Sequence, residues 1–271
     1  IVNNAEVKDT ETESIRRDGE TYFADFRLRR RVPERLEIGL DIPFVKHSNG
    51  VLVDAIFDWH DLWGMSNSKR DGPSNNLNYR YSNNGSVEQQ IMSSSSGIGD
   101  VQLSAAVPFV AGGGDGSRHV TMRFSVKLPT GDSADLHGSG ATDAAVGLYA
   151  QDSGTLLGKD FAYLGFAGVL ALGDGDILTE QQRSAVPYGG VAATWHATEQ
   201  FGITGQLQAQ GAYIDSDLDE LGGSSIQLAV GGIYRFPRHG VSLRFALVED
   251  VISDATPDFA VHLAIHLSGG R

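Results

Sequence analysis

The chain has 271 residues, with 34 glycines, 41% apolar and 20% charged residues, the composition of a folded chain and not of a disordered one. Its net charge of -13 argues against a nucleic-acid partner, and zero cysteines exclude disulfides, thiol nucleophiles and thiolate metal sites. No run approaches the roughly 20 apolar residues of a membrane-spanning helix, but strands that alternate their faces also span membranes and leave a low mean hydropathy.

Alternation is the strongest pattern along the chain. Ile1–Val7 reads as part of an incomplete first strand. In 20–32, Ala24, Phe26 and Leu28 oppose Asp25, Arg27, Arg29 and Arg31; in 34–46, Leu36, Ile38, Leu40 and Ile42 oppose Glu37 and Asp41. The segment 51–65 instead has helical spacing, placing Leu52, Ile56, Trp59 and Trp63 on one face. Strands then follow at 77–83, 87–95 and 99–109, and in 118–129 Val120, Met122, Phe124, Val126 and Leu128 oppose Thr121, Arg123, Ser125 and Lys127. Runs at 142–151, 160–172, 186–197 and 225–236 fit with more glycine and alanine. The clearest strand is 201–213, where Ile203, Leu207, Ala209 and Tyr213 oppose Gln206, Gln208 and Gln210. In 240–250 Leu243, Phe245 and Leu247 oppose Ser242 and Arg244, and the last strand sets Leu263, Ile265 and Leu267 against His262 and His266.

A soluble sandwich alternates as well, with its apolar face turned inward. Its polar face would carry abundant Lys and Glu, whereas here that face carries Gln, Ser, Thr, Arg, His and Gly, and acids crowd into the connections. Tight connections fall at Val32–Glu34, Asn83–Gly85, Thr198–Gln200 and Pro237–Gly240; long ones fall at 47–76, 130–141, 173–185, 213–224 and 251–257. Short turns alternating with long loops describe an outer-membrane barrel. The expectation is an all-β, single-domain, antiparallel up-and-down transmembrane barrel of about fourteen strands, twelve if 77–95 is loop. One amphipathic helix would sit in an extracellular loop.

The polar face supplies lumen-lining candidates: Arg27, Arg29, Arg31, Glu37, Asp41, Arg123, Lys127, Gln206, Gln208, Gln210, Arg244, His262 and His266. Their arginines could steer anions through a lumen, or pair with Glu37 and Asp41 across neighbouring strands. Leu52, Ile56, Trp59 and Trp63 form a gating or interfacial helix. His47 and Ser48 are adjacent, so a strand sends them to opposite faces, and no catalytic group is assigned. His262 and His266 stand about 13 Å apart along a strand, too far to share a metal. The acids at Asp215, Asp217, Asp219 and Glu220 lack the glycine of a calcium loop. No metal, cofactor or enzymatic activity is expected.

HSNGVLVDAIFDWHDLWGM, SSGIGDVQLS, VKLPTGD followed by GSGATDAAVGL, and the closing DATPDFAVHLAIHL together resemble the proteobacterial family known as domain of unknown function 3187. The resemblance implies an outer-membrane barrel and carries no activity or site residue across. The expected function is a passive channel or facilitated-diffusion pore for a small polar or amphipathic solute in a Gram-negative outer membrane. Lipid and lipopolysaccharide would be its surroundings. The alternatives are a non-conducting structural barrel with a plugged lumen and, more remotely, an outer-membrane lipid hydrolase.

Overall fold

The computed structural model describes residues 2–32, 36–49, 77–112, 118–252 and 259–268. From the N-terminus run β1 (Val2–Asp9), β2 (Glu13–Val32), β3 (Leu36–Ser48), β4 (Asn78–Asn83), β5 (Ser86–Ile91) and β6 (Ser95–Ile98). After them come β7 (Val101–Gly112), β8 (Arg118–Leu128), β9 (Asp143–Leu156), β10 (Lys159–Ala171) and β11 (Ala185–His196). The last four are β12 (Phe201–Gln210), β13 (Ser225–Phe236), β14 (Val241–Ile252) and β15 (Phe259–Leu267). Among the described residues these fifteen strands form one antiparallel sheet, and helix is confined to a 3-10 turn at Thr179–Gln181 and a single turn, α1, at Asp219–Gly222.

The pairings show how the wall is laid. β1, β2, β3 and then β7 to β15 are successive neighbours, twelve strands in series, and β1 meets β15 through Val2 opposite Ala260. β2 is long enough to change partners. Its Glu20–Val32 half pairs with β3, while Glu13–Asp18 pairs with β4 beyond the point where β3 ends. β5 flanks β4, and β6 takes the last residues of β3 above the start of β7. This explains fifteen strands where fourteen were expected: the run expected at 87–95 ends at Ile91 as β5 on β4, and a further short strand, β6, follows at Ser95–Ile98 and pairs with β3.

Turn chemistry sets the short connections. Asn84 and Gly85 both take positive φ, 48° and 80°, as a two-residue hairpin requires. Leu157 and Gly158 do the same at 52° and 72°, so β9 runs five residues beyond the expected end at 151 and β10 starts at Lys159, one before the expected 160. Leucine gives no sign of such a turn in the sequence, since its Cβ disfavours positive φ. The Val32–Glu34 turn, the 251–257 loop and the helix bearing Leu52, Ile56, Trp59 and Trp63 fall wholly or largely outside the described residues.

Strand alternation gives the sheet two unlike faces. On one, large apolar side chains stand open: Phe26 is 63% exposed, Val191 59% and Phe245 51%, with Leu103, Phe124, Leu148, Leu207, Leu228 and Leu263 also exposed. The other face holds Arg27, Arg29, Arg31, Arg123, Arg244, the glutamines of β12 and His262 and His266, whereas Arg30, at the short-turn end of β2, stands on the apolar side opposite Ile38. The buried apolar clusters lie at the long-loop end, not under the sheet's middle. Leu77, Tyr79 and Ile91 form one with Leu136 against it; Ile15, Tyr81 and Leu218 form the other with Leu178 and Leu221.

Candidate functional site

The polar face divides into a charged half and an uncharged half. On the charged half, Arg29 grips Asp41 with both guanidinium nitrogens, Nη2 donating to Oδ2 at 2.8 Å. Arg123 donates to Glu37 at 3.0 Å and to Ser104 at 3.3 Å. It reaches Glu37 from two strands away because Ala106 stands between them in the ladder and is too small to block it. Arg27 pairs with Asp25 at 2.8 Å, and Arg31 stands opposite Glu37 in register. These pairs are partly exposed, so each adds about 0–1 kcal/mol of stability at most. They set alternating charge along β2, β3 and β8; the adjacent-strand pairing expected of Arg27 to Arg31 is seen for Arg29, while Arg123 reaches Glu37 across an intervening strand.

The second half, β9 to β13, is uncharged through its middle; its charges on this face, Asp143, Asp160 and Arg235, stand at the strand ends. Gln206 donates to Gln208 at 2.9 Å, and Gln208 donates to Gln227 on the next strand at 2.7 Å. Beside this amide chain lie three aromatic rings that the sequence reading passed over. Tyr149 and Phe166 sit opposite each other, centroids 5.5 Å apart and planes within 14°, and Tyr188 follows 6.4 Å from Phe166. Glycine makes their posture possible: a Cβ on Gly147 or Gly168 would come within 2.4 Å of Tyr188, and one on Gly190 within 2.7 Å of Phe166. The rings therefore lie down on a glycine floor. Phe166, Tyr188, Gln208, Gln210, Tyr213 and Gln227 line a recess of about 140 Å³. Arg244, His262 and His266 share the polar face on β14 and β15, opposite Ile233, Ala246 and Ser242 respectively.

At the long-loop end the connections fold down and are clamped. Lys127, expected on an open wall, instead bridges Asp100 at 3.0 Å and Asp143 at 2.7 Å. Asp100 also accepts from the backbone N–H of Gly131 at 3.0 Å and of Ser139 at 2.9 Å. Burial works to raise the Asp100 carboxyl, but these donors and the Lys127 ammonium outweigh it and hold it below the usual carboxylate range. Thr130 ties the same corner by donating to the Gly99 carbonyl at 2.8 Å. The segments SSGIGD, KLPTGD and GSGATD thus interlock in space, which no pattern within any one of them announces.

Two buried polar groups complete this rim. Glu13 accepts from Tyr81, from Gln181 at 3.0 Å, from Ser216 at 2.9 Å and from the Asp217 N–H at 2.7 Å. Burial opposes its charge, yet the four donors prevail and lower its pKa, while burial and Glu13 push the Tyr81 hydroxyl up to about 12. His47 stacks on His137, centroids 5.6 Å apart, and its Nδ1 shares a hydrogen with Thr21 Oγ1 at 3.0 Å. His137 Nε2 lies 3.1 Å from Ser95 Oγ. Burial depresses the His47 pKa. His47 and Ser48 fall on opposite faces, as the strand periodicity required. The loop acids are engaged locally: Arg183 pairs with Asp215 at 3.1 Å and Lys8 with Glu220. Among the described residues no three His, Asp or Glu side chains converge to hold a metal ion.

A family model described as Protein of unknown function (DUF3187) matches residues 2–267. The chain belongs to this DUF3187 family. No curated protein matches the sequence. Among solved structures, the COG4313 outer membrane channel from Pseudomonas putida F1 is similar at 12% identity and a TM-score of 0.53, covering 93% of this chain and 82% of that one. At that identity the likeness concerns the fold, and it places this DUF3187 chain beside an outer membrane channel in architecture.

Proposed function

We propose that this DUF3187 chain is an outer-membrane channel whose twelve-strand series closes as a β-barrel around a polar lumen. Its solute is small, and polar or amphipathic. One observation carries the reading: large apolar side chains stand exposed along strand after strand on one face of the sheet, while the opposite face is lined by paired charges and amides. In water such an apolar surface would far exceed what a monomer exposes; against lipid it is required. The spanning segments β8, β12 and β14 have 11, 10 and 12 residues, matching the roughly 9–11 residues a tilted strand needs.

Aromatic placement supports the same orientation. Phe161, Trp195, Phe201, Tyr234 and Phe236 gather on β10 to β13 near the short turns, with Phe161 opposite Trp195 and Phe201 opposite Tyr234. Such girdles mark a membrane interface. The short turns then face the periplasm of a Gram-negative cell, and the acidic long loops face outward toward lipopolysaccharide. A closed ring of twelve strands is too wide for side chains alone to fill.

A second reading, a barrel sealed at its outer end, is favoured by the loops held against β2 and β4 by Glu13, Leu136 and Leu218. Planar-bilayer recording separates the two. Discrete conductance steps, with ion selectivity altered in the Arg29→Gln/Arg123→Gln variant, are expected of the channel. A bilayer that stays sealed with correctly folded protein overturns it and leaves the plugged barrel.

A further inference from the structure

The geometry points to a binding subsite for a neutral pyranose sugar on the uncharged half of the polar face, on the platform of Phe166 and Tyr188 beside the glutamine chain. This inference deepens the channel reading and rests on it for the sugar's passage, though not for its binding.

Three features combine. First, Gly190, Gly147 and Gly168 leave the room in which Phe166 and Tyr188 reach across the wall, and both rings line the recess. An aromatic face carries negative charge and favours the slightly positive C–H groups on the flat side of a sugar ring. Second, Gln208 and Gln227 border that platform and already hydrogen-bond each other. A carboxamide both donates and accepts, as a sugar hydroxyl does, so the amides can follow a ring of hydroxyls without any fixed polarity. Third, apart from Ala209 the side chains that line the recess are aromatic, amide or hydroxyl, among them Tyr213 and Gln210. The Arg29–Asp41 pair belongs to β2 and β3 instead, and Arg123, which lies within electrostatic reach of Tyr188, is already paired with Glu37.

These features discriminate among solutes. An anion finds no cation among the recess-lining side chains. A purely apolar ring would match the platform but would gain nothing from the amides. A linear polyol would match the amides but lacks a face to stack. A ring with one apolar face and a hydroxylated rim uses both halves of the site, following the usual plan of an apolar pocket with a few placed polar groups.

Equilibrium dialysis of radiolabelled maltose against the detergent-solubilised full chain reads binding without requiring conductance. Saturable binding is expected, competed by glucose more strongly than by sorbitol or benzyl alcohol. Tyr188→Ala and Phe166→Ala should each weaken it about tenfold, Tyr188→Phe should retain most of it, and Arg29→Gln should leave it unchanged. Gln227→Ala, which leaves the glycine floor and both rings in place, provides a second variant if removal of a ring disturbs folding. No saturable maltose binding by the wild-type protein overturns the subsite, as does stronger competition by benzyl alcohol than by glucose. In planar bilayers, ion conductance that maltose never interrupts also overturns it while leaving the channel standing. Maltose binding by a protein that never conducts keeps the subsite and removes the channel.

Discussion

Asp100 is where the rim clamp can be cut most cleanly. Its side chain is nearly buried and accepts two backbone N–H bonds, from Gly131 and Ser139, and a bond from Lys127. A hydrogen bond to a charged group contributes about 1.5–3 kcal/mol. Asp100→Ala removes two such bonds from the 129–142 segment, and Lys127 keeps Asp143 at 2.7 Å, so no buried cation is stranded. At the lower end of the range the loss is about 3 kcal/mol, close to a hundredfold in the opening equilibrium of that segment. Hydrogen exchange by mass spectrometry should therefore show the 129–142 peptides exchanging about a hundredfold faster, with β12 and β13 unchanged. Asp100→Asn keeps one acceptor oxygen for a single N–H, turns the other position into a donor and removes the charge, so it should fall between. Unchanged exchange in 129–142 would refute the claim that this carboxylate holds the loop.

Other consequences follow from the same geometry. His47 has a folded-state pKa below its ordinary 6.5, so the unfolded segment binds more protons and stability is lost as pH falls below about 6.5; exchange in residues 134–137, which cover His47 beside His137, should quicken there, and His47→Gln should flatten the dependence. Glu13 has its pKa lowered from 4.5, so its contribution is present above that value and is lost as pH falls through it. Glu13→Ala should cost about 2–4 kcal/mol locally and expose the 213–222 peptides to exchange. Leu207→Arg puts a cation on the apolar face and should destabilise bilayer-folded protein by about 2–4 kcal/mol near midplane, read by urea titration in liposomes, whereas Gln208→Arg should cost far less.

Much of the architecture was legible because strand spacing alone sorts side chains into two faces. Ile203 and Leu207 against Gln206 and Gln208 gave both the strand and its faces, and Arg29 with Asp41 and Glu37 lay close enough in sequence to be matched as neighbours. What escaped lies in contacts between distant segments. Asp100, Lys127, Ser139 and Asp143 come from three separate segments, and only the folded sheet brings them together. Tyr149, Phe166 and Tyr188 break the apolar pattern by standing on the polar face, where glycine-rich strands gave a weak alternation. Their signal was present all the same: two of the three rings face a glycine on an adjacent strand, Tyr188 opposite Gly168 and Phe166 opposite Gly190. The 87–95 segment looked like one strand because its length suits one, and nothing local tells that β5 and β6 pair with different partners.

The account turns on which face meets lipid, and a chain without cysteine allows that to be measured directly. Single cysteines placed in turn at residues 203 to 208 and spin-labelled in proteoliposomes report access to oxygen, which concentrates in lipid, and to a water-soluble nickel chelate. A period of two is expected, with positions 203, 205 and 207 reached by oxygen and positions 204, 206 and 208 reached by the chelate. Uniform access to the chelate along the whole strand, or the opposite phase, would contradict it.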